Sequence, residues 1–171
     1  MKNTKIIIFA AVLALGGGIF ARGYFAPVAL ANPIPLAEFT MPDVFGKPHN
    51  IKEWESKIRI INFWATWCPP CLKEIPMFKT LQQQFTNNGL QFIGVAVDDQ
   101  ASVKEYMAKT DINYPILIGD LAGIALSQQL GNTAGVVPYT LIVNQQGQVI
   151  YQHNGEISRE QIIEIITPLL N

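Results

Sequence analysis

Ile61-Asn62-Phe63-Trp64-Ala65-Thr66-Trp67-Cys68-Pro69-Pro70-Cys71 is the stretch that decides the reading of this chain. The run from Lys57 to Ala65 is β-branched and aromatic, the composition of a strand buried on both faces, and it ends at the cysteines. After them Leu72, Ile75, Phe78, Leu81 and Phe85 recur at helical spacing until Asn87-Asn88-Gly89 stops the pattern. The cysteine pair therefore sits where a strand hands over to a helix. The unpaired N–H groups and positive dipole end of that helix favour a thiolate at Cys68. Pro69 and Pro70 fit a first helical turn, where a missing N–H has no intrahelical partner to lose. Cys71 then lies one turn inward, placed to attack a mixed disulfide formed by Cys68.

Outward from this centre the chain alternates elements. Leu90 to Val97 is a second apolar strand, which completes a β-α-β unit. Ala101 to Thr110 reads as a helix, Tyr114 to Ile118 as a short strand, and a further helix runs through Leu126 and Leu130, giving a second crossover. Val136 to Val143 and Gln148 to Gln152 are strands joined by the hairpin signal Asn144-Gln-Gln-Gly147, so the sheet is expected to be mixed. Ser158 opens a last helix in which Ile162, Ile163, Ile166 and Leu170 form one face. Upstream, Phe39 to Ile51 holds a Gly46-Lys47-Pro48 turn between short β-like stretches. Asn32 to Ala37, with two prolines, reads as an extended linker.

Of the 171 residues, 49% are hydrophobic, and 12 basic residues stand against 13 acidic ones for a net charge of −1. A folded single domain is expected, and the electrostatic footprint of a nucleic-acid binder is missing. The two cysteines close a loop too short to constrain the unfolded chain, which makes structural stapling a poor reason for them. With no second Cys pair, and His49 and His153 far apart in sequence, neither a metal nor any other cofactor is expected.

Lys2 and Lys5 precede the apolar run Ile6 to Phe20, the pattern of an export signal or a membrane anchor. Residues 6–21 would extend about 24 Å as a helix against a hydrocarbon core of about 30 Å, with Arg22 able to snorkel and Tyr24 and Phe25 able to sit at the interface. Ala29-Leu30-Ala31 offers a cleavage site, but it lies well past the apolar run, which favours retention in the inner membrane. Residues 1–31 are thus read as a signal anchor or signal peptide plus linker, and 32–171 as the domain. It would face the oxidising, extracytoplasmic (periplasmic) side.

The segment Ile61 to Cys71 resembles the active-site strand and motif of the thioredoxin superfamily, and the resemblance runs from about Phe39 onward. It includes Pro76 inside the helix and Val137-Pro138 where relatives carry a cis-proline. It implies an α/β fold: a central mixed β-sheet flanked by helices, with an N-terminal β-hairpin and a β-α insertion between Val97 and Leu130. The export segment, this insertion and the run Trp67 to Pro76 are similar to the TlpA/ResA (DsbE-like) group of anchored extracytoplasmic thiol:disulfide oxidoreductases. That group implies a redox disulfide between Cys68 and Cys71 and exported protein disulfides as substrates, for instance apocytochrome c during cytochrome c biogenesis. It also implies a membrane thiol protein of DsbD type as electron donor. Pro138 would pack beside the cysteines, and the backbone of Val137 would pair with a bound peptide. Thioredoxin itself has a buried aspartate where Asn62 stands here. Glu74, three residues after Cys71, is the implied substitute, as the ResA-like proteins carry a glutamate there that tunes the cysteines.

Each assignment has a plainer counterpart. Glu74 could be a solvated surface charge beside Lys73, and Asp98-Asp99, at the end of a strand, could be catalytic but is expected to cap a helix and solvate a loop. Trp64 is expected in the core, and Trp67, with Pro69 and Pro70, at the substrate-facing rim. His49 and His153 read as surface residues. Alternative functions are a disulfide oxidase or isomerase of folding proteins, a peroxiredoxin-like peroxidase and a copper-binding module. Against the peroxidase, Ile61 and Ala65 stand where the P-x-x-x-T-x-x-C pattern requires Pro and Thr.

Overall fold

The structure, a computed structural model, describes residues 32–170. The segment read as a signal or anchor, with its apolar run 6–21 and the Ala29-Leu30-Ala31 site, lies outside the described residues. The strands are β1 (Ile34–Pro35), β2 (Thr40–Pro42), β3 (Pro48–Asn50), β4 (Ile58–Trp64), β5 (Leu90–Ala96), β6 (Ile116–Ile118), β7 (Tyr139–Val143) and β8 (Gln148–Asn154). The helices are α1 (Pro69–Phe85), α2 (Gln100–Ala108), α3 (Asp120–Gln129) and α4 (Arg159–Ile166). Six strands form one mixed sheet in the order β1-β8-β7-β4-β5-β6, with β4, β5 and β6 parallel and β7, β8 and β1 antiparallel to their neighbours. Helices flank it, as the sequence leads one to expect.

β4 is central because all seven of its residues are buried, and only a strand with neighbours on both edges and helices on both faces can satisfy that condition. It pairs with β5 from Ile58↔Leu90 to Trp64↔Ala96 and with β7 from Arg59↔Val143 to Phe63↔Tyr139. Since β7 runs antiparallel to β4, the start of β7 lies at the end of β4, and this register brings Val137-Pro138 to the cysteine end of the sheet. Phe78 of α1 packs on Phe92 of β5 with ring centroids 5.0 Å apart, and Phe92 on Tyr114 at 5.8 Å. Gly94 keeps β5 close to its neighbours: a Cβ there would come within 2.5 Å of Ile116 Cδ1 and 3.0 Å of Trp64 Nε1.

Four expectations are corrected. The proline-rich stretch 32–37 is more than a linker, since Ile34 and Pro35 pair with Val149 and Gln148 and the Leu36 N–H donates to the Gly147 carbonyl at 2.9 Å. Proline is tolerated there because β1 is an edge strand, with one side of its backbone free of partners among the described residues. The strand expected from Val136 begins only at Tyr139, because both backbone groups of Val136 are bonded to the Asn132 side chain and not to a neighbouring strand; the Val137-Pro138 bond between Val136 and Tyr139 is cis. The buried face of α4 is Ile162, Ile165 and Ile166, with Ile163 only partly covered, so the helix is rotated relative to the simplest spacing. His49 is half-buried, bridging Asp43 (3.4 Å) and Glu53 (2.8 Å) and stacked on Trp54, where it ties the β2–β3 hairpin together.

Arg59 is the charged residue of β4, at the end far from the cysteines. It is buried, with Nη1 donating to the Ile51 carbonyl at a long 3.5 Å and Nε without a partner among the described residues. Burial holds its guanidinium below the ordinary arginine value, offset in part by the charge of Glu55.

Candidate active site

β4 delivers the chain to Ala65-Thr66-Trp67, and Cys68 is the N-cap of α1, with extended dihedrals of φ −102° and ψ 98°. Cys68 and Cys71 are joined by a disulfide with S–S 2.06 Å and Cα–Cα 5.3 Å. Pro69 and Pro70 occupy the first helical positions and carry no N–H, so the first free amide of the helix is that of Cys71. It donates to Cys68 Sγ at 3.3 Å. A helix N-terminus thus points a hydrogen-bond donor at the sulfur that would carry negative charge on reduction. Both cysteines are buried, yet their neighbours are open: Trp67 is 65% exposed, Pro69 is exposed and Pro70 half-buried.

Across from them, Pro138 is buried and its carbonyl accepts the Gly155 N–H at 2.8 Å. The preceding loop is held by Asn132, a residue the sequence reading missed. Asn132 is buried; its Nδ2 donates to the Val136 carbonyl at 2.7 Å and to Ser127 Oγ at 3.2 Å, while its Oδ1 accepts the Val136 N–H at 3.2 Å. Both backbone groups of Val136 are thereby occupied. Those of the half-buried Val137 make no hydrogen bond among the described residues. An asparagine in a polar loop gives no sequence signal that separates it from a turn residue.

Glu74 is not a surface charge. It is 2% exposed, on the inner side of α1 one turn beyond Cys71. Its Oε1 accepts the Ile157 N–H at 2.7 Å, and its Oε2 has no hydrogen-bond partner among the described residues. Burial is the largest influence on it, opposed by the Ile157 N–H, reinforced by the charge of Glu156 and opposed again, weakly, by the Asn62 amide. The net effect pushes its pKa up from 4.5 to about 7. The Asn62 amide forms its hydrogen bond of normal geometry elsewhere, to Thr140 Oγ1 at 3.0 Å. A carboxyl poised near neutrality beside a redox pair can take up or release a proton as that pair changes state.

Of the expected cap pair, Asp99 caps α2 by accepting the N–H groups of Ala101 and Ser102, both at 3.0 Å. Asp98 turns the other way, to Thr66. Trp64 is buried against Tyr106, ring centroids 5.6 Å apart. Among the described residues no three His, Cys, Asp or Glu side chains group so as to hold a metal, and no helix is long and apolar enough to cross a membrane.

The family model described as Redoxin matches residues 29–165. Thiol-disulfide oxidoreductase ResA of Bacillus cereus is 28% identical over 176 residues, covering 97% of this chain and 97% of the relative. The ResA of Halalkalibacterium halodurans is 27% identical over 169 residues, covering 96% and 94%. Among solved structures, a thiol:disulfide interchange protein of the thioredoxin family from Chlorobium tepidum matches with a TM-score of 0.72 at 30% identity. That match covers 82% of this chain and 99% of the other. A secreted thiol-disulfide isomerase from Corynebacterium glutamicum, at 19% identity and a TM-score of 0.70 over 78% and 84% of the two chains, shows the same fold.

The raised value of Glu74 has a signed consequence for stability. The native chain holds this proton more tightly than the unfolded chain, so the associated stability is fully present below pH 4.5 and is lost as pH rises through about 7. The oxidised protein is expected to lose on the order of 3 kcal/mol across that window, and Glu74→Gln to remove this part of the slope. Urea unfolding of both proteins between pH 5 and pH 8 checks it; parallel profiles would show that Glu74 ionises as freely in the native state as in the unfolded one.

Proposed function

The chain belongs to the Redoxin family, and from that premise we propose that it is a thiol:disulfide oxidoreductase of the TlpA/ResA group that reduces disulfides in exported proteins. One observation carries the reading: two sulfurs joined across the first turn of a helix, with Trp67 and Pro69 exposed beside them. In the reduced protein the Cys68 thiolate attacks a substrate disulfide, forming a Cys68–substrate bond and expelling one substrate sulfur as a thiolate. Cys71, deprotonated, then attacks Cys68 Sγ, releasing the second substrate sulfur and re-forming the Cys68–Cys71 disulfide. Two electrons pass to the substrate, and two protons follow. Trp67, Pro69, Pro70 and Pro138 form the contact surface in this reading. The free N–H and C=O of Val137 are available to an extended substrate segment.

The reducing direction is supported by Glu74. A stabilised thiolate makes a dithiol a poor reductant, because the reduced form is then the favoured one. A buried carboxylate one turn from Cys71 acts in the opposite sense, disfavouring a second negative charge and with it the reduced state. A disulfide oxidase would be served by the reverse arrangement. Re-reduction falls to a membrane thiol protein of DsbD type, and apocytochrome c is a substrate class consistent with the ResA relatives.

The domain is proposed to work on the periplasmic face of the inner membrane, held there by residues 6–21. Membrane fractionation is expected to recover the full-length chain with the inner membrane. A soluble periplasmic form beginning at Asn32 would replace the anchor by a cleaved signal, and a cytoplasmic form would remove the compartment assignment.

The order of attack is tested by trapping. Cys71→Ser is expected to accumulate mixed disulfides with substrate and Cys68→Ser to accumulate none; the opposite pattern would exchange their roles. Direction is tested by equilibrating the Cys68–Cys71 couple with glutathione. We expect a potential in the range of thioredoxin, about −270 mV, with Glu74→Gln moving it upward and lowering the thiolate titration. A parent potential near that of a folding oxidase, about −120 mV, would reverse the assignment.

A further inference from the structure

We propose that Asp98 is a positioning residue of the active site, whose carboxylate tethers Thr66 and so fixes the Trp67-Cys68 segment against the end of β5 for attack on substrate. This deepens the oxidoreductase reading of the same site and rests on it. Asp98 Oδ2 accepts two hydrogen bonds from Thr66, one from its N–H at 2.9 Å and one from its Oγ1 at 2.5 Å. Asp98 Oδ1 accepts the N–H of Asp99 at 2.9 Å, and Asp99 in turn caps α2. The loop that presents the nucleophile is thereby linked through one carboxylate to the first helix of the insertion.

Little else holds that loop. Its one backbone closure among the described residues, from the Cys68 N–H to the Ala65 carbonyl, is long at 3.3 Å, and Trp67 is largely in solvent, so its side chain contributes little anchoring burial. The strand beneath is fixed as far as Trp64, whose carbonyl accepts the Val97 N–H at 2.8 Å. Between that bond and the buried disulfide, Thr66 is the residue with a side-chain tie to another element. A carboxylate is suited to it because both oxygens only accept, so donors on opposite sides are satisfied together and each bond is charge-assisted. An amide cannot replace it fully, since its NH2 would face either the Thr66 donors or the Asp99 N–H.

Displacement of a reacting group by about 1 Å costs up to about 100-fold in rate, so loss of the tether is expected to appear in catalysis more than in stability. The test is reduction of insulin disulfides by the full-length protein in detergent. It compares the parent with Asp98→Ala, Asp98→Asn, Thr66→Val and Thr66→Ser, well below their unfolding temperatures. Asp98→Ala is expected to lower kcat/KM at least tenfold. Asp98→Asn and Thr66→Val, each with part of the bonding left, should be intermediate, and Thr66→Ser, with both donors retained, should stay within about twofold of the parent. The glutathione equilibrium of the Cys68–Cys71 couple should shift in the same order. A stability defect alone would move neither readout. Parental kcat/KM and potential in Asp98→Ala would overturn the proposal, as would a Thr66→Ser protein as slow as Thr66→Val. If Asp98→Ala does not fold, the Thr66 pair decides. The turnover of the parent tests the oxidoreductase reading, while the ratio of variant to parent tests the tether.

Discussion

Burial of β4 along its entire length is the constraint on which the remaining geometry rests. A strand with no residue in water must have partners on both edges, and its register with β5 and β7 is then fixed by main-chain hydrogen bonds and by side chains that cannot be turned outward. Where such a strand ends is therefore not adjustable. It ends at Trp64, and the next four residues must carry the chain out of the sheet and into α1, which places Cys68 at the N-cap. The same register fixes the start of β7, and with it Pro138, at that end of the sheet. The functional groups converge because the sheet has one order, although they come from separate parts of the chain.

In the proposed reaction the chemistry is tuned, against that rigid frame, by two opposed electrostatic devices. The helix N-terminus, with its first free amide on Cys68 Sγ, favours negative charge on the outer sulfur. Glu74, buried on the inner side of the same helix, disfavours charge near the inner one. In that proposal the opposition separates the two sulfurs, so that Cys68 is available as a nucleophile and Cys71 is held back until a proton can leave. A carboxyl with one oxygen bonded and the other without a partner among the described residues is a costly thing to bury. Leucine would fill that position in a helix built for stability alone.

The fold was legible in the sequence wherever it depends on local periodicity. The apolar run of β4, the helical spacing from Leu72 to Phe85 and the Asn144 to Gly147 turn are each set by residues close together in the chain. They appear where expected. What was hidden is what depends on partners remote in sequence. β1 could not be seen because two prolines argue against a strand unless an edge is free to receive them, and that edge belongs to β8. The choice of Ile165 over Ile163 on α4 follows from how the helix lies on the sheet, which spacing alone leaves open. At the site, the cysteine pair was explicit, and Glu74 was singled out by helical geometry and resemblance, but the hydrogen bond it accepts comes from Ile157, far along the chain. Asn132 was missed, and Asp98 was read as a cap before a catalytic group, for one reason: a polar residue at the end of an element reads as a cap or a turn former, and the contact that distinguishes it, for Asp98 the one to Thr66, is tertiary.

The loop before Pro138 shows how such a contact can prepare a surface. A backbone N–H and C=O near the protein surface are ordinarily satisfied by water, and an isolated unpaired residue carries no implication. Here the neighbouring residue, Val136, has both groups taken by one buried side chain, even though it is the more exposed of the two. Asn132 ties Val136 toward the α3 side, and the Gly155 N–H holds Pro138 on the β8 side, so Val137 lies between two fixed points. Its backbone lies at the same end of the sheet as the disulfide. In the proposed reaction this lets a substrate strand dock beside the sulfurs without ordering the loop first, which removes a conformational cost from the encounter.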